Sequence, residues 1–184
     1  MSGEYLATSR VLLRWLDEEH VDDLVELDSD PEVVRWVDPP PSREEVEREH
    51  IPAYRRYRES GLGFGFWAAV HRESGEFMGW FHLRPRQGEA PDAPELGYRL
   101  RRKWWGQGFA TEVSLALVER AFRELGASRV WAAAAAENTR SRRVMEKCGL
   151  RLERWYWAEE YGCWDVDYGL TREQWEAAAA ARAG

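Results

Sequence analysis

The sequence predicts an α/β domain in which about seven strands alternate with five helices. Short apolar or aromatic runs recur between glycine and proline punctuation, and helical periods with recognisable start and stop residues separate them. No internal repeat or linker divides the 184 residues, a length near that of one globular domain, so a single domain over 1–184 is expected. Apolar residues make up 44% and charged residues 32%, enough to bury a core and keep a solvated surface.

Val11 to Trp15 is a short apolar run closed by Asp17, which reads as a strand entering a helix N-cap, and the helix covers roughly Glu18 to Leu27. Asp28-Ser29-Asp30-Pro31 breaks it, and Pro39-Pro40-Pro41 stiffens the connection. Ser42 followed by Glu45 is a capping-box pattern that opens a second helix toward Glu59. After Gly61, Gly63 and Gly65, the runs Phe66 to Val70 and Phe77 to Phe81 form a hairpin across the turn Glu73-Ser74-Gly75-Glu76. A polar, proline-bearing loop from Arg84 to Pro94 leads to a strand, Glu95 to Leu100. From Phe109 a helical period sets in, with Leu115, Val118, Phe122 and Leu125 spaced to share one face and Gly126 placed as a stop. Arg129-Val130-Trp131 opens the next strand. The following Ala132 to Ala136 are poor strand formers, so only packing can hold them extended. Asn138 to Lys147 is a short helix closed by Gly149. Leu150 to Ala158 and Cys163 to Leu170 are two further strands, and a last helix starts at Thr171 with an alanine-rich end.

Composition excludes several functions. No apolar run reaches membrane-spanning length, and Met1 to Leu6 lacks the features of a secretory leader, so the expected compartment is the cytoplasm and no membrane partner is expected. The two cysteines, Cys148 and Cys163, show neither C-x-x-C spacing nor a nearby His at zinc-ligand intervals, so no metal is expected. A net charge of -7 argues against nucleic acid, whose binding depends on positive charge to displace counterions. It suits a cationic acceptor, and it equally serves solubility. Eleven tryptophans are unusual for this length; most are expected to pack and some to line a pocket.

The segment Arg101-Arg102-Lys103-Trp104-Trp105-Gly106-Gln107-Gly108-Phe109-Ala110-Thr111 is a basic glycine turn between a strand and the long helix. Glycines without side chains let successive backbone N–H groups and the positive helix end point at a diphosphate, with Arg101, Arg102 and Lys103 adding charge around it. By itself a G-x-G is equally a tight turn with surface cations. It has neither the third glycine of a dinucleotide fingerprint nor the Lys-Ser/Thr of a P-loop. About 30 residues on lies Asn138-Thr139-Arg140-Ser141-Arg142-Arg143-Val144-Met145-Glu146-Lys147-Cys148-Gly149-Leu150. Strand, basic G-x-G turn, long helix, strand, then N-x-x-S with E-K-x-G-L resembles the coenzyme A core of the GNAT acetyltransferases, with the R/Q-x-x-G-x-G/A motif at Lys103 to Gly108. Thr8-Ser9-Arg10-Val11-Leu12-Leu13-Arg14, Asp28-Ser29-Asp30-Pro31-Glu32-Val33 and Trp164-Asp165-Val166-Asp167-Tyr168-Gly169-Leu170 with Glu173-Gln174-Trp175 are similar to the RimJ/RimL branch. The resemblance spans roughly residues 8–175.

That resemblance implies a mixed, mostly antiparallel central sheet with helices on both faces. It also implies direct acetyl transfer from acetyl-CoA to a primary amine, of a protein N-terminus or of a small molecule. The strands Glu95 to Leu100 and Arg129 to Ala135 would splay to admit the pantetheine arm. The backbone from Tyr98 to Leu100 would pair with its amides, and Lys103, Trp105, Gly106, Gln107, Gly108, Phe109, Ala110 and Thr111 would surround the diphosphate. Asn138 would bond the cofactor arm, cap its helix, or do both, and Arg143 would add a cofactor contact. Amine acylation needs a base and gains from an acid at the departing thiolate. Glu95 is the candidate base, and an exposed strand-end glutamate without a role is the competing reading. Many relatives place a Tyr seven residues after the motif Asn as the acid; this chain has Met145 there. Ser141 is the replacement candidate, with protonation by solvent as the other route. Glu112 and Asp165 read first as structural partners. Trp36, Trp80 and Tyr156 are expected at the acceptor, Trp67 and Phe81 in the core as readily as in the groove. The strand pair carrying Tyr156 and Trp157 is one that borders an acceptor or a partner, which allows a homodimer. A non-catalytic acyl-CoA-binding regulatory module is the alternative function, resting on Met145 alone.

Overall fold

The computed structural model describes residues 3–36, 39–86, 88 and 90–183. Its strands are β1 (Glu4–Ala7), β2 (Val11–Trp15), β3 (Gly65–His71), β4 (Phe77–Arg84), β5 (Glu95–Leu100), β6 (Arg129–Ala135), β7 (Arg151–Ala158) and β8 (Cys163–Thr171). They form one sheet in the order β1-β2-β3-β4-β5-β6-β8-β7, antiparallel throughout except between β5 and β6. The helices are α1 (Val21–Asp28), α2 (Arg43–Glu45), α3 (Ile51–Glu59), α4 (Phe109–Arg123), α5 (Thr139–Lys147) and α6 (Arg172–Ala183).

The expected α/β architecture is present, with one added strand. β1 is a four-residue edge strand whose residues are exposed or half-buried and whose register slips between Glu4 and Leu6, so no alternating pattern announces it. Tyr5 fastens it: the ring stacks on Trp67 at 4.2 Å and the hydroxyl donates to the Gly63 carbonyl at 2.5 Å. The capping box opens the second helical segment as expected. Ser42 Oγ accepts from the Glu45 amide at 3.2 Å and Glu45 Oε2 accepts from the Ser42 amide at 2.6 Å. A π-helical stretch, Val46–His50, joins α2 to α3.

Two apolar layers flank the sheet. On one face Phe109, Val113, Leu117, Val118 and Phe122 of α4, with Met145 of α5, pack on Leu13, Phe81, Leu96, Val130 and Val166. On the other, Leu24 and Leu27 of α1, Val46 and Ile51 pack on Ala68 and Phe77. Each such large apolar side chain contributes roughly 1.5–3 kcal/mol by leaving water. Leu115, expected on the buried face of α4, is 42% exposed. The stripe that meets both the sheet and α5 runs through Val113, Leu117 and Ala121, and Leu115 falls just beyond its edge. Trp67 and Phe81 are wholly buried, which settles them as core.

The alanine run is held extended as expected, by pairing with β8 from Arg129↔Thr171 to Ala135↔Asp165. On its other side β6 meets β5 at a single register pair, Glu95↔Trp131, with the Trp131 amide donating to the Pro94 carbonyl at 3.2 Å. Beyond that point the two parallel strands diverge. The gap opens toward α4 and α5 on one face and toward α1 and α3 on the other.

Candidate active site

The α4 side of the gap ends in the glycine turn. Trp105 anchors it by donating Nε1–H to the Leu100 carbonyl at 2.7 Å, and Gln107 Nε2 donates to the Lys103 carbonyl at 2.6 Å. Gly106 and Gly108 have φ of 73° and 85°, left-handed values that side chains disfavour. The amides from Gly106 to Thr111 belong to a loop opening into the first turn of α4, where backbone donors have no intrahelical acceptors. A Cβ on Gly108 would meet only Arg10 Nη2, at 3.5 Å, so the space beside it is open. Such a donor array fits a diphosphate.

Glu112, in the first turn of α4, ties this loop to the turn between β1 and β2. It accepts from Thr8 Oγ1 at 2.6 Å, Ser9 Oγ at 2.9 Å, the Arg10 amide at 2.9 Å and Arg10 Nε at 2.7 Å. Partial burial alone would raise its pKa, but these bonds carry the carboxyl down to about 2. Arg10 continues to the Gln107 carbonyl at 3.1 Å, with its guanidinium 4.1 Å from the centre of the Phe109 ring. The expected structural role of Glu112 is thus realised. The cations of the turn are engaged differently from expectation: Arg101 pairs with Asp23 and Glu26, Arg102 with Asp30, and Lys103 with Glu76. The C-terminal end of β5 runs beside α1, the segment that follows it and the β3–β4 hairpin, which carry these carboxylates. Arg140 Cζ lies 5.1 Å from the Trp105 ring centre and Arg143 is exposed on α5.

Asn138 caps α5, its side-chain oxygen accepting from the Ser141 amide at 3.1 Å. Ser141 stands beside the Tyr98 phenol of β5 and draws its pKa down, against the larger effect of burial. Burial pushes that phenol up to about 12, so Tyr98 stays protonated and able to donate. Met145 is 5% exposed and belongs to the core under α5. The Cys148 thiol behind it is pushed up to about 12 by burial, which keeps it inert. Arg142 and Glu146 hold α5 against β8 through the Tyr168 hydroxyl, at 3.1 and 2.9 Å.

On the opposite face the gap opens into a groove of about 700 Å³, walled by Asp28, Trp36, Tyr54, Trp80, Glu95, Arg99, Asp165 and the small Ala133 to Ala135, among others. Glu95 is buried rather than exposed, at 8%, and stands where β5 and β6 part. Its Oε2 lies 3.3 Å from Arg84 Nη2 and 3.7 Å from Arg86 Nε, yet neither is aligned to donate to it. Arg99 is bound to Asp28 at 2.5 Å and lies 5.3 Å from the centre of the Trp80 ring. Burial drives the Tyr54 phenol up to about 12, against the pull of Arg99. Trp36 and Trp80 both line this groove. Tyr156 does not line the groove: β7 is one strand further out, and the ring lies 4.2 Å from the Arg154 guanidinium. Tyr161, from the β7–β8 turn, lines it instead. Tyr54, Arg86 and Arg99 carried no signal in the sequence, since each lies on a separate segment and only the fold collects them. Among the described residues no group of three His, Cys, Asp or Glu is placed to hold a metal, and no helix is long and apolar enough to cross a membrane.

Comparison with known proteins agrees with this geometry. Residues 10–151 match the family model described as an acetyltransferase (GNAT) domain. The FsC-acetyl coenzyme A-N(2)-transacetylase of Aspergillus fumigatus is 35% identical over 187 aligned positions, covering 92% of this chain and 77% of that protein. An uncharacterized N-acetyltransferase of Bacillus licheniformis is 30% identical, over 82% of this chain and 84% of its own length. Among solved structures, a GNAT-family acetyltransferase from Bacillus anthracis superposes with a TM-score of 0.75 at 23% identity, covering 91% of this chain and 98% of its own. A RimL ribosomal alpha-N-protein acetyltransferase in complex with coenzyme A superposes with a TM-score of 0.77 at 20% identity, covering 94% and 99%. At these identities the structural likeness is one of fold.

Proposed function

The chain belongs to the GNAT acetyltransferase family, and from that premise we propose that it transfers an acetyl group directly from acetyl-CoA to a primary amine. The observation that carries the reading is the single β5–β6 register pair at Glu95 and Trp131. It leaves a gap with diphosphate-type donors at one mouth and an aromatic, carboxylate-bearing groove at the other.

The amides from Gly106 to Thr111 would hold the diphosphate, and the arm would pass between β5 and β6 beside Tyr98 and Asn138. The cofactor supplies the activated thioester. In this chain Glu95 takes a proton from the acceptor ammonium, freeing the nitrogen lone pair to attack the thioester carbon. Ser141, beside the protonated Tyr98 phenol, donates toward the departing sulfur, a part that Met145, buried in the core under α5, cannot play. That alternative donor favours an active enzyme over a silent acyl-CoA-binding module. The acceptor is a compact amine: Trp36, Trp80 and Tyr54 offer apolar and cation-binding faces, and Asp165 adds a carboxylate. The Aspergillus relative, an N(2)-transacetylase by name, agrees with an amine acceptor.

Calorimetric titration with acetyl-CoA followed by thiol release against a panel of small amines and N-terminal peptides tests the reading. Saturable binding with acceptor-dependent release is expected. Binding without release for any acceptor would indicate the regulatory module, and absence of binding would overturn the assignment of the loop.

A further inference from the structure

Behind the groove, four buried side-chain atoms collect without hydrogen-bond partners among the described residues: His82 Nδ1, His82 Nε2, Arg84 Nε and Glu95 Oε2. Burying such atoms without hydrogen bonds is costly, so a cluster of them at one place points to a bond completed only in a working state. His82 lies on β4 opposite Gly97 of β5, and its ring packs between Trp80 at 5.6 Å and Phe66 at 5.1 Å. A Cβ at position 97 would stand 2.6 Å from His82 Nε2, so glycine there leaves the room the imidazole occupies. Nε2 is 3.9 Å from Glu95 Oε2.

Burial pushes His82 well below the ordinary imidazole range, and Arg84, Arg86 and Arg99 push the same way. The charged and titratable groups around it are Arg84 of β4, Arg86 just after it, Glu95 and Arg99 of β5, Asp28 of α1, which pairs with Arg99, and Tyr54 of α3. The ring is accordingly neutral at physiological pH, with one N–H to give.

We propose that His82 is the positioning residue of Glu95: its Nε2–H donates to Glu95 Oε2 once the acceptor is bound, turning Oε1 to the acceptor ammonium. The inference rests on Glu95 being the base. The separation must close by about 1 Å to reach hydrogen-bond length, a side-chain adjustment of the kind active sites make when substrate binds. In the step itself an ammonium N–H bond breaks and an O–H bond forms at Glu95 Oε1, while His82 keeps its own proton.

The test is steady-state kinetics of His82→Leu, His82→Gln, Glu95→Gln and the His82→Leu/Glu95→Gln pair. His82→Leu is expected to lower kcat by about 10- to 100-fold with KM for acetyl-CoA unchanged. His82→Gln, which keeps a donor, restores most of the rate. In the Glu95→Gln background the leucine costs little more, because the two residues act as a unit. If leucine at 82 prevents folding, Gly97→Ala reproduces its kinetics by crowding the imidazole. Wild-type kcat in both His82→Leu and Gly97→Ala, with Glu95→Gln impaired, overturns the role of His82 alone, as does full additivity in the pair. Wild-type kcat in Glu95→Gln removes the base and this inference together.

Discussion

The glycine turn and the aromatic groove lie on opposite faces of the β5–β6 gap and are built in opposite ways. The turn is local: from Lys103 to Glu112 a few consecutive residues set the left-handed glycines, the donor array and the first turn of α4, and one long-range clasp at Glu112 steadies them. The groove is assembled from α1, Trp36, α3, β4, β5, β6 and β8, and its Glu95 is buried with one carboxylate oxygen outside any hydrogen bond among the described residues. A site for an invariant ligand can be written into a short stretch of chain. A site for an acceptor drawn from many seams can change at one wall while the others stand.

If that division holds, the largest effect belongs to the groove. Glu95→Gln keeps the shape and removes the proton acceptor, so kcat should fall by about 10²- to 10⁴-fold while coenzyme A affinity by calorimetry is unchanged. A matching loss of affinity would mean that the two sites are not separable. Next comes Gly108→Val. The left-handed φ of 85° strains any side chain there, and the added atoms enter the open space beside the loop. A strain of about 1–3 kcal/mol, relieved when the free loop leaves the binding conformation, corresponds to roughly 5- to 150-fold weaker coenzyme A binding. Catalysis at saturating cofactor should be nearly intact. Unchanged affinity would remove the diphosphate from this turn.

Glu112→Gln tests the one clasp the loop depends on. With a folded-state pKa of about 2 against an ordinary 4.5, the carboxylate contributes stability that is complete above pH 4.5 and lost as pH falls toward 2. At neutral pH the variant should be less stable by about 1–3 kcal/mol. The gap between wild-type and variant melting temperatures should narrow on acidification below pH 4.5. A gap that stays constant with pH would mean that the carboxylate charge contributes nothing to the clasp.

The same contrast governs what could be read in advance. Seven strands, the capping box and the turn were legible because hydrophobic period, cap spacing and glycine placement act over a few residues. β1 was not, since four half-exposed residues carry no pattern. The cations at 101–103 read as ligand-facing because sequence shows charge without its partners; Asp23, Glu26, Asp30 and Glu76 come to them only through tertiary structure. His82 sits in the apolar run Phe77 to Leu83, where it passes for one residue of a strand face. The available hint was Gly97, an interior strand glycine of the kind that marks close approach from a neighbour. Ala132 to Ala136 read as weak strand, whereas the small side chains of Ala133 to Ala135 form part of the groove wall at the gap.

The smallest effect sharpens where the groove ends. Tyr156 shares a register pair with Asp165, a groove residue, yet β7 stands one strand beyond it and the ring is capped by Arg154. Replacing it by Ala should therefore change acceptor kcat/KM by no more than about twofold, the scale of a surface substitution of 0.5 kcal/mol. Leu152, Trp155, Trp157 and Trp164 leave β7 and its hairpin with 43–51% of each side chain's residue exposed, so that edge has apolar surface to offer. A large loss in Tyr156→Ala would place either an extended acceptor or another polypeptide against β7. Repeating the assay with a long peptide and a single-residue amine would then separate the two, since an extended acceptor loses its advantage in the variant and a partner's contribution falls equally for both.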